Sequence, residues 1–201
     1  MKQRKKQPVQ TRQALLAAAG EEFGGHGYAG TGLGSIVARA ELTKGALFHH
    51  FPDKRSLALG WITEDLTAAL EELWIVPLAA LDSLVGLRSL CRERCLALQP
   101  GDATSALVAL MAEVGTADPV LGAALENLFA NWRSAVAGLL ERGKAGGWIH
   151  RSIQPAMEAA FLVAFFAGCT VTTQRNPDDS SRHTCASALE GYLATLHAQQ
   201  G

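Results

Sequence analysis

The chain has 201 residues, 48% of them hydrophobic and 18% charged, with a formal net charge of −1. That apolar fraction excludes a disordered chain and leaves room for one large domain or two small ones. The near-zero total by itself points to no anionic partner, but it hides an asymmetry: residues 1–60 carry nine basic side chains against four acidic ones, a net of +5, and the remainder carries nine against fifteen, a net of −6.

A basic head on an acidic body suits nucleic-acid binding confined to one end. The plainer alternative is a solvated basic tail, which is all that Lys2, Arg4, Lys5 and Lys6 alone would amount to. Leu and Ala, both good helix formers, dominate the apolar set, and no stretch alternates with period two, so an all-α fold is expected.

In chain order, the first helix is expected from about Gln10 to Phe23, with Leu15, Leu16, Ala19 and Phe23 on one face, stopped by Gly24-Gly25-His26-Gly27. A short second helix follows Thr31 and turns Leu33, Ile36, Val37 and Ala40 inward. After a turn at Glu41-Leu42, a third short helix starts at Thr43, a good N-cap, and buries Leu47 and Phe51. Pro52 disfavours helical geometry at Phe51 and ends it. Asp53 caps a fourth helix reaching about Ile75, with Leu59, Ile62, Leu66, Leu70 and Leu73 in a stripe. It is a stiff rod of roughly 30 Å closed by Pro77. Further helices fit 78–98, 104–115, 119–143, 155–174 and 181–198. They are separated by turn chemistry at Gln99-Pro100-Gly101-Asp102, Asp118-Pro119, Gly146-Gly147 and Asn176-Pro177-Asp178-Asp179. The apolar run Ala159 to Val171 is short for a bilayer span. With no apolar leader after the charged N-terminus, a cytoplasmic protein without a membrane partner is expected.

Two short helices joined by a tight turn, behind a longer helix, make a helix-turn-helix. Ile36, Val37, Leu42 and Leu47 can pack the pair at an angle. Lys44, Gly45, Ala46, His49 and His50 then stay free to meet DNA, and the small residues let the backbone sit deep in a major groove. The stretch Thr31 to Leu57, TGLGSIVARAELTKGALFHHFPDKRSL, resembles the DNA-binding signature of the TetR family: an Ile-small pair, an Ala before the turn, Thr-x-Gly-x-Leu-aromatic-x-His-Phe, then a Lys three residues on. The opening LLAAAGEEFGGHGYAGT is similar to that family's first helix, so the match covers about residues 11–60.

The resemblance implies an N-terminal three-helix head, residues 1–55, joined by a long helix to a helical ligand-binding and dimerisation body, residues 56–201. It implies a ligand-responsive regulator, by family default a repressor, that releases a palindromic double-stranded DNA operator when a small effector binds. Lys44, Gly45, Ala46 and His49 match positions facing base edges or adjacent backbone, and Phe48, His50 and Lys54 match phosphate-facing ones. Thr31, Thr43 and Lys54 mark helix starts. Arg39 and Arg55 are extra phosphate candidates from charge. This chain departs from the pattern in three places: Phe48 replaces the usual Tyr, Glu41 stands where the turn usually has Gly, and Gly32 and Gly34 replace polar residues. Glu41 is expected to be strained by ~1 kcal/mol.

In the body, Trp61, Trp74, Met111, Phe129, Trp132, Trp148 and Phe165 are candidates to line an effector pocket, with ordinary core as the alternative for each. Arg88 and Arg92 could face an anionic ligand or pair with Glu93 or another helix. Cys91 and Cys95, one turn apart, read as buried thiols; no metal or cofactor site is expected. The last two helices are the expected homodimer interface, through Phe161, Ala164, Phe165, Gly168, Leu189 and Leu193. An enzyme is not expected: a thiol-dependent one would need Cys91 or Cys95 and a distant His that nothing orders. The other alternative is a helical protein-binding dimer that does not bind DNA.

Overall fold

The computed structural model describes residues 8–175 and 179–197; Lys2, Arg4, Lys5, Lys6 and the expected turn residues Asn176-Pro177-Asp178 lie outside the described residues. Among the described residues all regular structure is helical, and the only extended pairing is an isolated antiparallel bridge between Ile149 and His197. The chain forms two compact units: Met1–Ala68 with Ala109–Glu126, and Ala69–Val108 with Asn127–Gly201.

In the first unit, α1 (Pro8–Gly30) buries Leu15, Leu16, Ala19 and Phe23. It does not stop at Gly24 as expected. Helical geometry persists through two glycines and breaks at Gly27, whose φ of 73° and ψ of 174° suit a residue without Cβ. α2 (Leu33–Arg39) and α3 (Lys44–His50) follow. The turn between them closes through Ala40 N–H to the Ile36 carbonyl (2.9 Å) and Leu42 N–H to the Val37 carbonyl (3.0 Å). Glu41 takes φ 54° to make it. Thr43 caps α3, its hydroxyl oxygen accepting from Ala46 N–H at 3.1 Å. Phe51 is extended before Pro52, and Asp53 and Ser56 cap the next helix reciprocally.

That helix, α4, runs continuously over 54–80 and carries two π-helical turns, Ile62–Leu66 and Glu71–Ile75. The Thr67 hydroxyl, donating to the Ile62 carbonyl five residues back at 2.8 Å, supports the first wide turn. Pro77 does not end α4. It falls in the first turn of the α-helical piece Val76–Ala80 after the second π turn, where its missing N–H costs little. The division between the units falls inside α4, between Ala68 and Ala69.

Leu81 is extended, so the helix expected over 78–98 is broken there; α5 (Leu84–Ala97) starts afresh at the Ser83 cap. α6 (Ala103–Val114), α7 (Pro119–Ala145), α8 (Pro155–Arg175) and α9 (Asp179–Ala194) complete the fold. The second unit's core centres on Trp74, Trp132 and Phe166, whose rings lie 4.5–6.0 Å apart. Trp74 donates its indole N–H to Thr104 Oγ1 at 3.1 Å, so burial leaves that polar atom satisfied. α8 is more apolar than its sequence run suggested: residues 155–173 have mean hydropathy 1.6 and are long enough to cross a membrane by length and composition alone. In the fold its Leu162, Val163 and Phe166 are buried.

Candidate nucleic-acid interface

α3 has seven residues, so it presents one inward and one outward face. Leu47 is fully buried and anchors it, together with Ile36 and Val37 of α2. Thr43, Lys44, Gly45, Phe48 and His49 are exposed; Ala46 and His50 are half-buried. Phe48 is 53% exposed, an unusual setting for an aromatic ring without a hydroxyl. The His49 and His50 rings meet edge to face at 5.2 Å. Burial chiefly, then the neighbouring His49 and Arg12 charges, holds the His50 imidazole below its ordinary pKa. Lys44 is exposed and makes no ion pair among the described residues.

The other described cations of residues 1–60 are engaged within the first unit, Arg12 with Glu64 among them. Arg39 donates to Glu22 (2.6 Å) and Glu21 (2.7 Å), both on α1. Arg55 pairs with Asp118 at 2.8 Å. The Lys54 ammonium sits 4.3 Å from the Tyr28 ring centroid, and burial lowers its pKa. Thr31 is buried, its hydroxyl donating to the Glu22 and Gly27 carbonyls at 3.0 and 2.7 Å. The structure thus turns the side chains of Thr31 and Arg39 to holding the head together, because α1 supplies acceptors that charge counting cannot locate. Sequence reasoning missed Glu113, whose carboxylate accepts the Tyr28 and Ala29 N–H groups across 84–85 residues. No motif marks it.

The expected effector residues divide between the two units. Trp61 packs on Phe23 in the first unit, with ring centroids 5.8 Å apart, and Met111 belongs to that unit too. In the second unit Phe129 and Phe165 are half-buried. There a small apolar cavity of about 10 Å³ is lined by Trp74, Leu78, Leu87, Cys91, Trp132, Val136, Leu162, Val163 and Phe166. It has room for about one water molecule. Trp132 and Trp74 are the expected residues it includes; Phe166 lines it instead of Phe165. The Trp132 indole N–H is buried and has no hydrogen-bond partner among the described residues. Arg92 pairs with Glu190 of α9 at 3.1 Å, while Glu93 pairs with Arg94. Cys91 and Cys95 are buried, and burial pushes the Cys91 thiol up to about 12.

α8 carries an exposed apolar stripe, Met157, Phe161, Ala164, Gly168 and Val171, at alternating spacings of four and three. Phe161 is 45% exposed and lies 4.4 Å from the Tyr192 ring of α9. Leu189 and Leu193 are not on this face. Both are buried within the chain itself, Leu193 completely, because α9 turns that side onto α5.

A two-turn helix with a buried anchor, set in a helix-turn-helix and followed by a helical body, is the arrangement found in helix-turn-helix DNA-binding proteins. The model for "Bacterial regulatory proteins, tetR family" matches residues 15–60, and that for "BetI-type transcriptional repressor, C-terminal" matches residues 85–198, more than half of the chain. The chain belongs to the TetR family. It is 29% identical over 190 residues to the A-factor receptor protein of Streptomyces griseus, covering 94% of this chain and 61% of that one. It is 38% identical over 64 residues to the HTH-type transcriptional repressor AcnR of Corynebacterium efficiens, covering 32% and 34%. The chain therefore spans less than two thirds of either relative's length. A TetR-family transcriptional regulator from Cytophaga hutchinsonii superposes with a TM-score of 0.84 at 14% identity, covering 98% of this chain and 100% of that one.

Proposed function

We propose that this protein is a cytoplasmic homodimeric regulator that represses transcription from a palindromic operator and leaves it when a small, mostly apolar effector fills the body. Its functional division is a DNA-binding segment over 1–55 and an effector and dimer segment over 56–201. The observation that carries the reading is the outward face of α3, where exposed Lys44, Gly45 and His49 stand opposite a fully buried Leu47. Gly45 and Ala46 admit the backbone to the groove, Lys44 and His49 address base edges, and Thr43, Phe48, His50 and Lys54 flank the phosphates. Thr31 and Arg39 hold this arrangement from behind.

The small apolar cavity beside Trp132 supports an apolar effector seat that opens further on binding, and the exposed α8 stripe supports self-association through Phe161, Ala164 and Gly168, with half-buried Phe165 beside them. The relatives named a receptor and a repressor support the same reading. An effector acts only through its differential affinity for the DNA-bound and released forms, about 1–3 kcal/mol in typical cases.

Binding of labelled duplex from upstream of the protein's own locus, measured across salt concentrations, tests the docking. Lys44→Ala is expected to relax base preference. Lys54→Ala is expected to weaken all sequences alike and flatten the log–log salt slope by about 0.9 for each half-site, twice that for a dimer on both. Wild-type affinity and slope in both variants would overturn it.

A further inference from the structure

Glu113 and Asp118 bracket the turn between α6 and α7, inside the first unit. The Glu113 carboxylate accepts Tyr28 N–H through Oε2 at 2.7 Å and Ala29 N–H through Oε1 at 2.5 Å. Both amides lie just past the break at Gly27 and lead into Thr31 and α2. A Cβ at Gly27 would stand 2.9 Å from Glu113 Oε2, so the bare glycine also leaves the carboxylate its place. Five residues further on, Asp118 Oδ2 and Oδ1 take Arg55 Nε and Nη2 at 2.8 and 3.0 Å. Asp118 Oδ1 also accepts the Val120 and Leu121 N–H groups at 3.0 and 3.1 Å, capping α7. Burial weighs most on the Asp118 carboxyl and pushes its pKa up, but these amide bonds and Arg55 together bring it below the ordinary value.

Charge-assisted hydrogen bonds are about twice as strong as neutral ones, and a bidentate acceptor fixes direction as well as distance. Glu113 therefore sets the backbone that feeds the helix-turn-helix, and Asp118 holds the guanidinium at the start of α4 behind it. A guanidinium fork engaged by a carboxylate cannot offer the same N–H groups to a phosphate.

We propose that the α6–α7 turn is a two-carboxylate clamp on the DNA-reading head: Glu113 is a positioning residue for α2 and α3, and Asp118 withholds Arg55 from DNA phosphate. The clamp rests on the DNA-binding reading above and adds to it a control point that never touches DNA. It gives the turn opposite effects on affinity through its two acids.

Fluorescence anisotropy of the full chain with duplex from its own upstream region, repeated across salt concentrations, tests this. Asn at 118 keeps an oxygen for the α7 amides but loses the charge that holds Arg55. Asp118→Asn is expected to tighten binding and steepen the log–log salt slope by about 0.9 for each half-site, twice that for a dimer on both, and adding Arg55→Ala to it should return the slope to wild type. Glu113→Ala is expected to weaken binding about tenfold with an unchanged slope, and Glu113→Gln, which keeps one acceptor oxygen, to recover part of the loss. A structural role alone would not move the slope in Asp118→Asn, and thermal melts identify a Glu113 variant that fails to fold, in which case the Asp118→Asn pair decides. A wild type that binds specifically while Asp118→Asn keeps its slope overturns the clamp alone. A wild type that binds no duplex overturns the DNA-binding reading and the clamp with it.

Discussion

Glu41 is legible in the sequence as an anomaly, because the turn it occupies calls for a residue that tolerates positive φ, and its φ of 54° bears this out. Replacing it with glycine removes a left-handed penalty while adding unfolded-state entropy, so Glu41→Gly is expected to stabilise the protein by roughly 0.5–1 kcal/mol in denaturant unfolding. A loss of stability would show that the Glu41 side chain makes a compensating contact. Arg39 was less legible. Its charge was visible, but its partners lie 17 and 18 residues back on α1, and only the packing of α2 against α1 brings them together. The Arg39 hydrogen bond first, and the Ser35 one next, hold the Glu22 carboxyl below its ordinary value of 4.5. A depressed carboxyl stabilises the fold above its unfolded value, and that stability is lost as pH falls through the folded value. The melting temperature of wild type should therefore exceed that of Glu22→Gln at neutral pH and converge on it in acid. Parallel curves would remove the pair from the stability account.

Among the elements, those with chemical punctuation were read correctly. The Thr43 cap of α3, the stop before Pro52 and the Asp53 cap of α4 each depend on neighbours in sequence, which is why local reasoning finds them. Elements whose limits depend on distant packing were misjudged. α1 outlasts two glycines, and α4 passes Pro77 by widening into a π turn, a register change that a 3.6-residue period does not encode. α9 shows the same limit. Its apolar positions were visible, but not which neighbour they face, and Leu189 and Leu193 point into their own subunit. The two faces predict different failures. Ala164→Arg, on the exposed α8 stripe, should yield monomers in sedimentation with the fold retained. Leu193→Ala should instead cost about 2–5 kcal/mol of stability, the usual range for emptying a buried leucine site. Dissociation without destabilisation in Leu193→Ala would return that residue to the interface.

For the molecule as a whole, the DNA-reading end was legible because its signature is contiguous: residues 31–57 carry anchor, turn, cap and outer face in one stretch. The cavity beside Trp132 was not, since its lining comes from α4, α5, α7 and α8, and periodicity cannot say which apolar faces converge. Trp74 and Trp132 were among the candidates, whereas Leu78, Leu87, Val136, Leu162, Val163 and Phe166 carry nothing in sequence that separates them from ordinary core. In the proposed function a two-fold protein reads a two-fold site through α3. Footprinting of wild type and Lys44→Ala on the DNA upstream of the protein's own locus tests it most directly. Two protected half-sites are expected, with centres about 34–36 Å apart or a multiple of that spacing, lost or blurred in Lys44→Ala. Uniform weak protection of any sequence, identical in the two proteins, would contradict it.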